Sequence, residues 1–297
     1  MRYSWTLSKV RMKLALRSPA FIFFSLIFPL GFLFLYAGIF ARGNVAVLTY
    51  LMGPVLSLTV MGSFWGLSLQ LVTFREQGIL RRFQLTPVGA GALLGSSIIA
   101  NYFLVLPTVA LEFLICHFVF HMQSFGNLAQ VFVLVSVGAA AFSTFGLTVA
   151  SVTNNTQETQ VINNVIWFIF LFFSGATAPL TILPVWLQHA ALFLPATYLV
   201  AGLQGAMLRT ASMQQFLGDA FALIVGMVLA FEISRQLFRW EPDAKVPSRA
   251  KAWVLAVMVP FFLLGMWENA YGHRLKEIRQ NFQSIDQSSQ QAPSSHK

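Results

Sequence analysis

Residues Leu48–Phe74 read LTYLMGPVLSLTVMGSFWGLSLQLVTF, 27 consecutive positions without one Asp, Glu, Lys or Arg. Residues Arg75–Pro87 come next as REQGILRRFQLTP. A helix rises ~1.5 Å per residue, so ~20 apolar residues cross a hydrocarbon core of ~30 Å. The first stretch is long enough to span a bilayer, and the charged stretch marks where the chain leaves it. Similar apolar runs flank this pair. Phe21–Phe40 precedes it, and about Ala92–Phe120, Leu128–Val152, Val161–Ala178 and Phe216–Phe238 lie beyond it. A seventh run, Ala252–Trp267, is short and contains Pro260. It reads equally as a thin span, a re-entrant segment or an interfacial one.

Composition agrees. The 297 residues are 57% hydrophobic and only 10% charged, whereas a soluble domain carries roughly 25% charge. The fold class is therefore all-α and polytopic, and soluble folds drop out. The net charge of +9 does not point to nucleic acid: the basic residues sit at the ends of apolar runs, with no nucleic-acid-binding motif beside them. Anionic membrane lipid is the partner this pattern implies. Cys116 is the single cysteine and lies in an apolar run, so no intrachain disulfide forms and no Cys/His cluster suggests metal. The first run is longer than a signal-peptide core and lacks its cleavage pattern.

Orientation is set by Lys and Arg. With the N-terminus inside, thirteen of them fall on the cytoplasmic side of the first six spans, against Arg42 and Arg209 outside. That bias decides the topology. Arg274, Lys276, Arg279 and Lys297 remain in the tail, and their side depends on the seventh run. Ahead of the spans, Lys9, Lys13 and Arg17 share one helical face and Leu7, Val10 and Leu14 another. Residues 1–19 read as an amphipathic helix in the cytoplasmic interface. Residues 20–240 form the six-span core, 241–270 a cytoplasmic loop plus the extra apolar segment, and 271–297 a polar, Ser/Gln-rich tail expected to be disordered.

The stretch from Pro179 to Ala206 is apolar but broken by Pro179, Pro184 and Pro195. No continuous helix passes through those prolines. Two short half-helices that dip into the outer leaflet and return are expected, because irregular backbone at that depth must be buried or line a cavity.

No phosphate-binding G-x-x-x-x-G-K-[ST] loop and no hydrolase or metalloprotease motif occurs, so the chain should not bind ATP in that way. The strongest local signal is the loop after Arg75. Gly78 breaks the span, and Pro87 stops any helix begun after it. Between the two a short helix carries Ile79, Leu80, Phe83 and Leu85 with Arg81 and Arg82, suited to docking in a groove on a cytosolic partner. A solvated basic loop is the simpler alternative.

This loop resembles the R-E-x-G-[TI]-L-x-R-x-x-x-T-P pattern of ABC-2 type permeases, the membrane subunits of ABC exporters. Phe173–Leu187, FSGATAPLTILPVWL, is similar to the S-G-x-x-x-P-L-x-x-L-P-x-W-L run after that family's fifth span. Leu194–Tyr198, with Leu203–Arg209 beyond, is similar to its N-P-x-T-Y and terminal Arg. Lys13–Pro19, with Pro29, resembles its opening. The likeness extends from Met1 to about Arg239. Two positions depart: Arg81 stands where the family is often acidic, and Leu194 replaces the common Asn.

The resemblance implies a non-enzymatic permease in the bacterial inner membrane, exporting a drug-like, lipid-linked or otherwise amphiphilic cargo. It implies a homodimer and a separate ABC ATPase subunit that binds the ATP, with no cofactor in this chain. Arg75, Glu76, Gly78, Ile79, Leu80, Arg81, Arg82 and Phe83 would then meet the ATPase. Gly175, Pro179, Pro184, Trp186, Pro195 and Tyr198 would form the outer gate. Within the spans, Glu112 and Asn101 fall on one face of the third run. An ionisable group at that depth faces a bundle interior or cavity, which leaves a substrate-path role beside an internally bonded structural one. An ion-coupled secondary carrier is the alternative function. It would need coupling sites and paired broken spans, where only one broken region and one deep carboxylate are visible.

Overall fold

The computed structural model describes residues 27–41, 43–85, 89–241, 248–272 and 274–291. The expected interfacial helix before Arg17 lies outside the described residues, as do Arg42, Thr86 and Pro87. Every regular element among the described residues is helical.

Helix α1 (Phe28–Ala41) is α-helical to Leu35 and widens to a π-helix over Tyr36–Ala41. Then come α2 (Val45–Glu76), the short α3 (Ile79–Gln84), α4 (Ala90–Phe118) and α5 (Leu128–Val152). Next is α6 (Thr156–Phe173), succeeded by a 3₁₀ turn (Leu180–Ile182), α7 (Val185–Ala191) and α8 (Pro195–Leu208). Last are α9 (Met213–Gln236), α10 (Ser248–Ala270) and α11 (Arg274–Gln291). Among the described residues four helices, α2, α4, α5 and α9, are long and apolar enough to cross a membrane. The pair α7–α8, bent by 94°, makes a fifth if it counts as one span.

Helices α2 and α5 form the centre. Of the most apolar window of each, 72% is buried, against 39% in α4 and α9. Where lipid outside is as apolar as the core, close packing of small residues holds helices together. Gly146 of α5 sits so near α2 that a Cβ there would lie 2.3 Å from the Phe64 carbonyl oxygen. Gly53 of α2 seats against the backbone of Gln204 in α8 in the same way.

Two expectations are corrected, and one open alternative is narrowed. Helix α6 starts at Thr156, five residues before the apolar run, because Asn155 caps it by accepting from Glu158 N at 2.7 Å. It ends at Phe173 rather than Ala178, just ahead of Gly175, whose φ of +90° a helix cannot hold. The seventh run does not turn back: Ser248–Ala270 is one helix through Pro260, and its end lies beside α7. Residues 274–291 of the polar tail are helical, anchored by Arg274, Ile278 and Phe282. Residues 292–297 lie outside the described residues.

Candidate functional site

The motif after Phe74 sits at a junction of four elements. Arg75 is buried at the end of α2. Its Nη1 donates to Ala150 O at 2.9 Å and its Nη2 to Thr153 O at 2.6 Å. These carbonyls belong to the last turn of α5, where a helix has no partners of its own and carries partial negative charge. Arg239, after α9, caps the same turn: Nη2 donates to Thr153 O at 2.6 Å and to Ser151 O at 3.3 Å. Burial pushes this guanidinium below arginine's usual pKa, and the Glu158 carboxylate opposes that push.

The next residue treats the next helix in the opposite sense. Glu76 accepts from Thr156 N at 2.8 Å and from the Thr156 hydroxyl, at the first turn of α6. A carboxylate there meets unsatisfied N–H groups and positive charge. Glu158 closes the turn by accepting from Asn154 N and Nδ2. One turn deeper in α6, Asn163 Nδ2 donates to Ser68 Oγ of α2 at 2.6 Å. The Arg75–Glu76 pair therefore grips the α5–α6 turn from both sides.

Gly78 then reverses the chain at φ +67° and starts α3. Leu80 is fully buried against Leu71, Val72, Leu94 and Leu147, with Phe83 packed at the edge of the cluster. Ile79 is half-buried, whereas Arg81, Arg82 and Gln84 are exposed and Leu85 is 89% exposed. The helix thus has a seated face and a free face. Arg75 and Leu80, expected among the docking residues, point into the chain. Leu85, expected beside Leu80 on one apolar side, points out. Arg239 was not singled out by the sequence; it reads there only as one more basic charge near a span end.

At the opposite end of the bundle, the prolines act as expected. Pro179 precedes the 3₁₀ turn, Pro184 precedes α7 and Pro195 opens α8. The elbow between the half-helices is locked by the first turn of α8. Thr197 Oγ1 donates to Ala191 O at 2.6 Å and Tyr198 OH to Leu192 O at 2.7 Å. These serve carbonyls that the end of α7 leaves open. The Tyr36 hydroxyl of α1 donates to Ala176 O at 2.7 Å and ties the approach loop down. Trp186 is 71% exposed.

Glu112 and Asn101 are both buried, and both face α2. Each has its own partners, so the two do not form one site. Thr59 donates to one Glu112 carboxylate oxygen, and the other has no hydrogen bond within the structure. Asn101 Nδ2 donates to Ser143 Oγ at 2.8 Å and Ser63 O at 3.3 Å. No group of three or more His, Cys, Asp or Glu able to hold a metal occurs among the described residues.

No curated protein matches the chain. The ABC-2 type transporter family does match, over residues 3–208, ending short of the Arg239 to which the sequence resemblance extends. Such domains are transmembrane components rather than catalytic ones, and the family implies an ABC ATPase as associate. The match takes in more than two thirds of the chain, including Arg75, Glu76, α3 and the proline-broken elbow: this multi-pass membrane protein belongs to the ABC-2 type transporter family.

Proposed function

We propose that the chain is the permease subunit of an exporter, moving an amphiphilic or hydrophobic substrate outward under power from an ATPase docked on α3. The observation that carries this is the division of α3 into two faces. Leu80 and Phe83 seat it in the bundle, while Arg81, Arg82, Gln84 and Leu85 project. An exposed leucine ringed by cations is the shape of an interface anchor with a charged rim. The count of basic residues supports a cytoplasmic N-terminus, which puts α3 inside and the α7–α8 elbow outside. Six spans, with α10 as an addition, fit the inner membrane of a bacterium.

Pairing with a second copy is supported by α6. Gln157, Gln160, Phe168 and Phe172 recur at helical spacing on a face the chain leaves open, with the half-buried Asn164 among them. Amide side chains are costly against lipid, so this face suits a partner copy and a path between the two. Beside it lies an apolar groove of about 610 Å³ lined by Val165, Phe168, Phe172 and Leu183, suited to a hydrophobic cargo.

The test is co-purification of an ABC ATPase subunit with the chain from membranes of cells that express both. The triple change Arg81→Glu, Arg82→Glu and Leu85→Asp should abolish it while leaving membrane insertion and thermal stability unchanged. Full recovery of the ATPase with that variant sinks the docking role. Transport in vesicles driven by an ion gradient without ATP would sink the exporter reading.

A further inference from the structure

Residues 209–297 lie beyond the family match, and among them Ser248–Ala270 and Arg274–Gln291 build a feature that the proposed function leaves unused. Helix α10 ends against α7: Asn269 Oδ1 lies 2.5 Å from His189 Nδ1, and the Phe262 and Phe193 rings pack at 5.1 Å. The chain turns after Tyr271, and α11 runs back over the broken pair. Arg274, Ile278 and Phe282 are spaced by four and so share one face. Arg274 pairs with the buried Asp219 of α9 and lies 5.6 Å over the Tyr198 ring of α8. Ile278 is buried in a cluster with Leu180 and Ala191. Phe282 meets Tyr50, near the start of α2, at 6.3 Å.

Beneath this helix is a cavity of about 310 Å³, with Gly205, Gln215, Asp219 and Glu277 among its walls. A helix seated through Arg274, Ile278 and Phe282 above a void has lost some of the dispersion contact that fastens a fully packed one. Elements with few buried contacts are those that open locally. The ion pair is the most position-sensitive of the three anchors, since removing one member strands the other as an uncompensated buried charge.

The geometry points to α11 as a lid over the α7–α8 elbow, latched by Arg274 on Asp219 and lifting when the elbow opens. The inference rests on the orientation proposed above, which places elbow and lid on the outer side. It places three cations of the tail, Arg274, Lys276 and Arg279, on the outer side, against the positive-inside pattern. Arg274 is neutralised by Asp219, while Lys276 and Arg279 are exposed at the surface.

Single cysteines labelled in intact cells test it, because Cys116 is buried and gives little background. The probe is a membrane-impermeant maleimide applied to the full chain. Arg279→Cys should react readily and Ile278→Cys roughly tenfold more slowly, as a site exposed only by local opening does. Adding Asp219→Asn or, separately, Arg274→Gln should bring Ile278→Cys close to the Arg279→Cys rate. Arg274→Lys, which keeps the charge, should leave it slow. Equal rates in the otherwise natural chain, or a slow rate that neither neutralisation alters, overturns the lid. Reaction of Arg279→Cys only after permeabilisation overturns the orientation instead, a separate failure.

Discussion

Arg75 and Glu76 are neighbours with opposite charges, and each is placed on the helix terminus of opposite polarity. Arg75 meets the carbonyl end of α5 and Glu76 the N–H end of α6. Each side chain finds backbone partners at a helix end, and Glu76 takes the Thr156 hydroxyl as well. Hydrogen bonds to a charged group are worth about 1.5–3 kcal/mol net. Arg75→Gln should therefore destabilise the detergent-purified protein by about 2 kcal/mol. Arg239→Gln should cost less, because Arg239 is only half-buried and Arg75 still serves Thr153. Thermal unfolding of the two variants measures the order; the reverse order would make Arg239 the principal cap. Little of this is legible in the sequence. Arg75 reads there as a charge that stops a span, and nothing local says that its partner is a carbonyl 78 positions away.

At the scale of the element, the seated and free faces of α3 separate two kinds of mutation. Leu80→Ala empties a site fully buried among three helices, and such truncations cost about 2–5 kcal/mol. Leu85→Ala removes a side chain already in contact with solvent and should leave stability within about 0.5 kcal/mol. If ATPase affinity falls only with Leu85→Ala while stability falls only with Leu80→Ala, both faces are as described. A loss of stability with Leu85→Ala would place it in a contact within the chain. The short run from Ile79 to Leu85 does not reveal which of its two leucines turns inward; that depends on the left-handed turn at Gly78. Helix α5, by contrast, is legible to both ends, since Asn127 and Thr153 bound an uninterrupted apolar run. The start of α6 is legible in another way. Asn155 with Glu158 three positions on is a capping pattern, but a reading by hydropathy begins at Val161 and passes over it. The helicity of α11 is hidden because Ser and Gln dominate its composition, while its main anchor, Asp219, lies 55 residues earlier.

At the scale of the whole molecule, the question is what covers the open face of α6. A twofold homodimer brings the same residues of both copies together at its axis. Phe168→Cys and, one turn below, Asn164→Cys should each give an oxidant-dependent disulfide dimer in native membranes. Leu217→Cys, exposed on α9, should not. Cross-linking through α9 with none through α6 would move the protomer interface to the other side of the bundle. The broad architecture is the most legible level of all. Sparse charge and apolar runs define the spans, and prolines define the elbow. The packing order is not legible, because in a membrane every span is apolar on most of its surface and periodicity distinguishes no buried side.

The seat of Gly146 on the Phe64 backbone has a mechanical consequence. A joint between side chains yields by changing rotamers, whereas one between backbones has no such slack. Helices α2 and α5 should then move as a single beam, fastened again at the Arg75 end by two hydrogen bonds to the last turn of α5. A displacement applied at α3 should be carried along that beam rather than absorbed within it. Compliance must lie where the beam meets its neighbours through side chains, along α6 and at the elbow of α7 and α8. Gly146→Ala would wedge the joint apart, and its signature would be lost transmission between the two ends rather than a lost site at either.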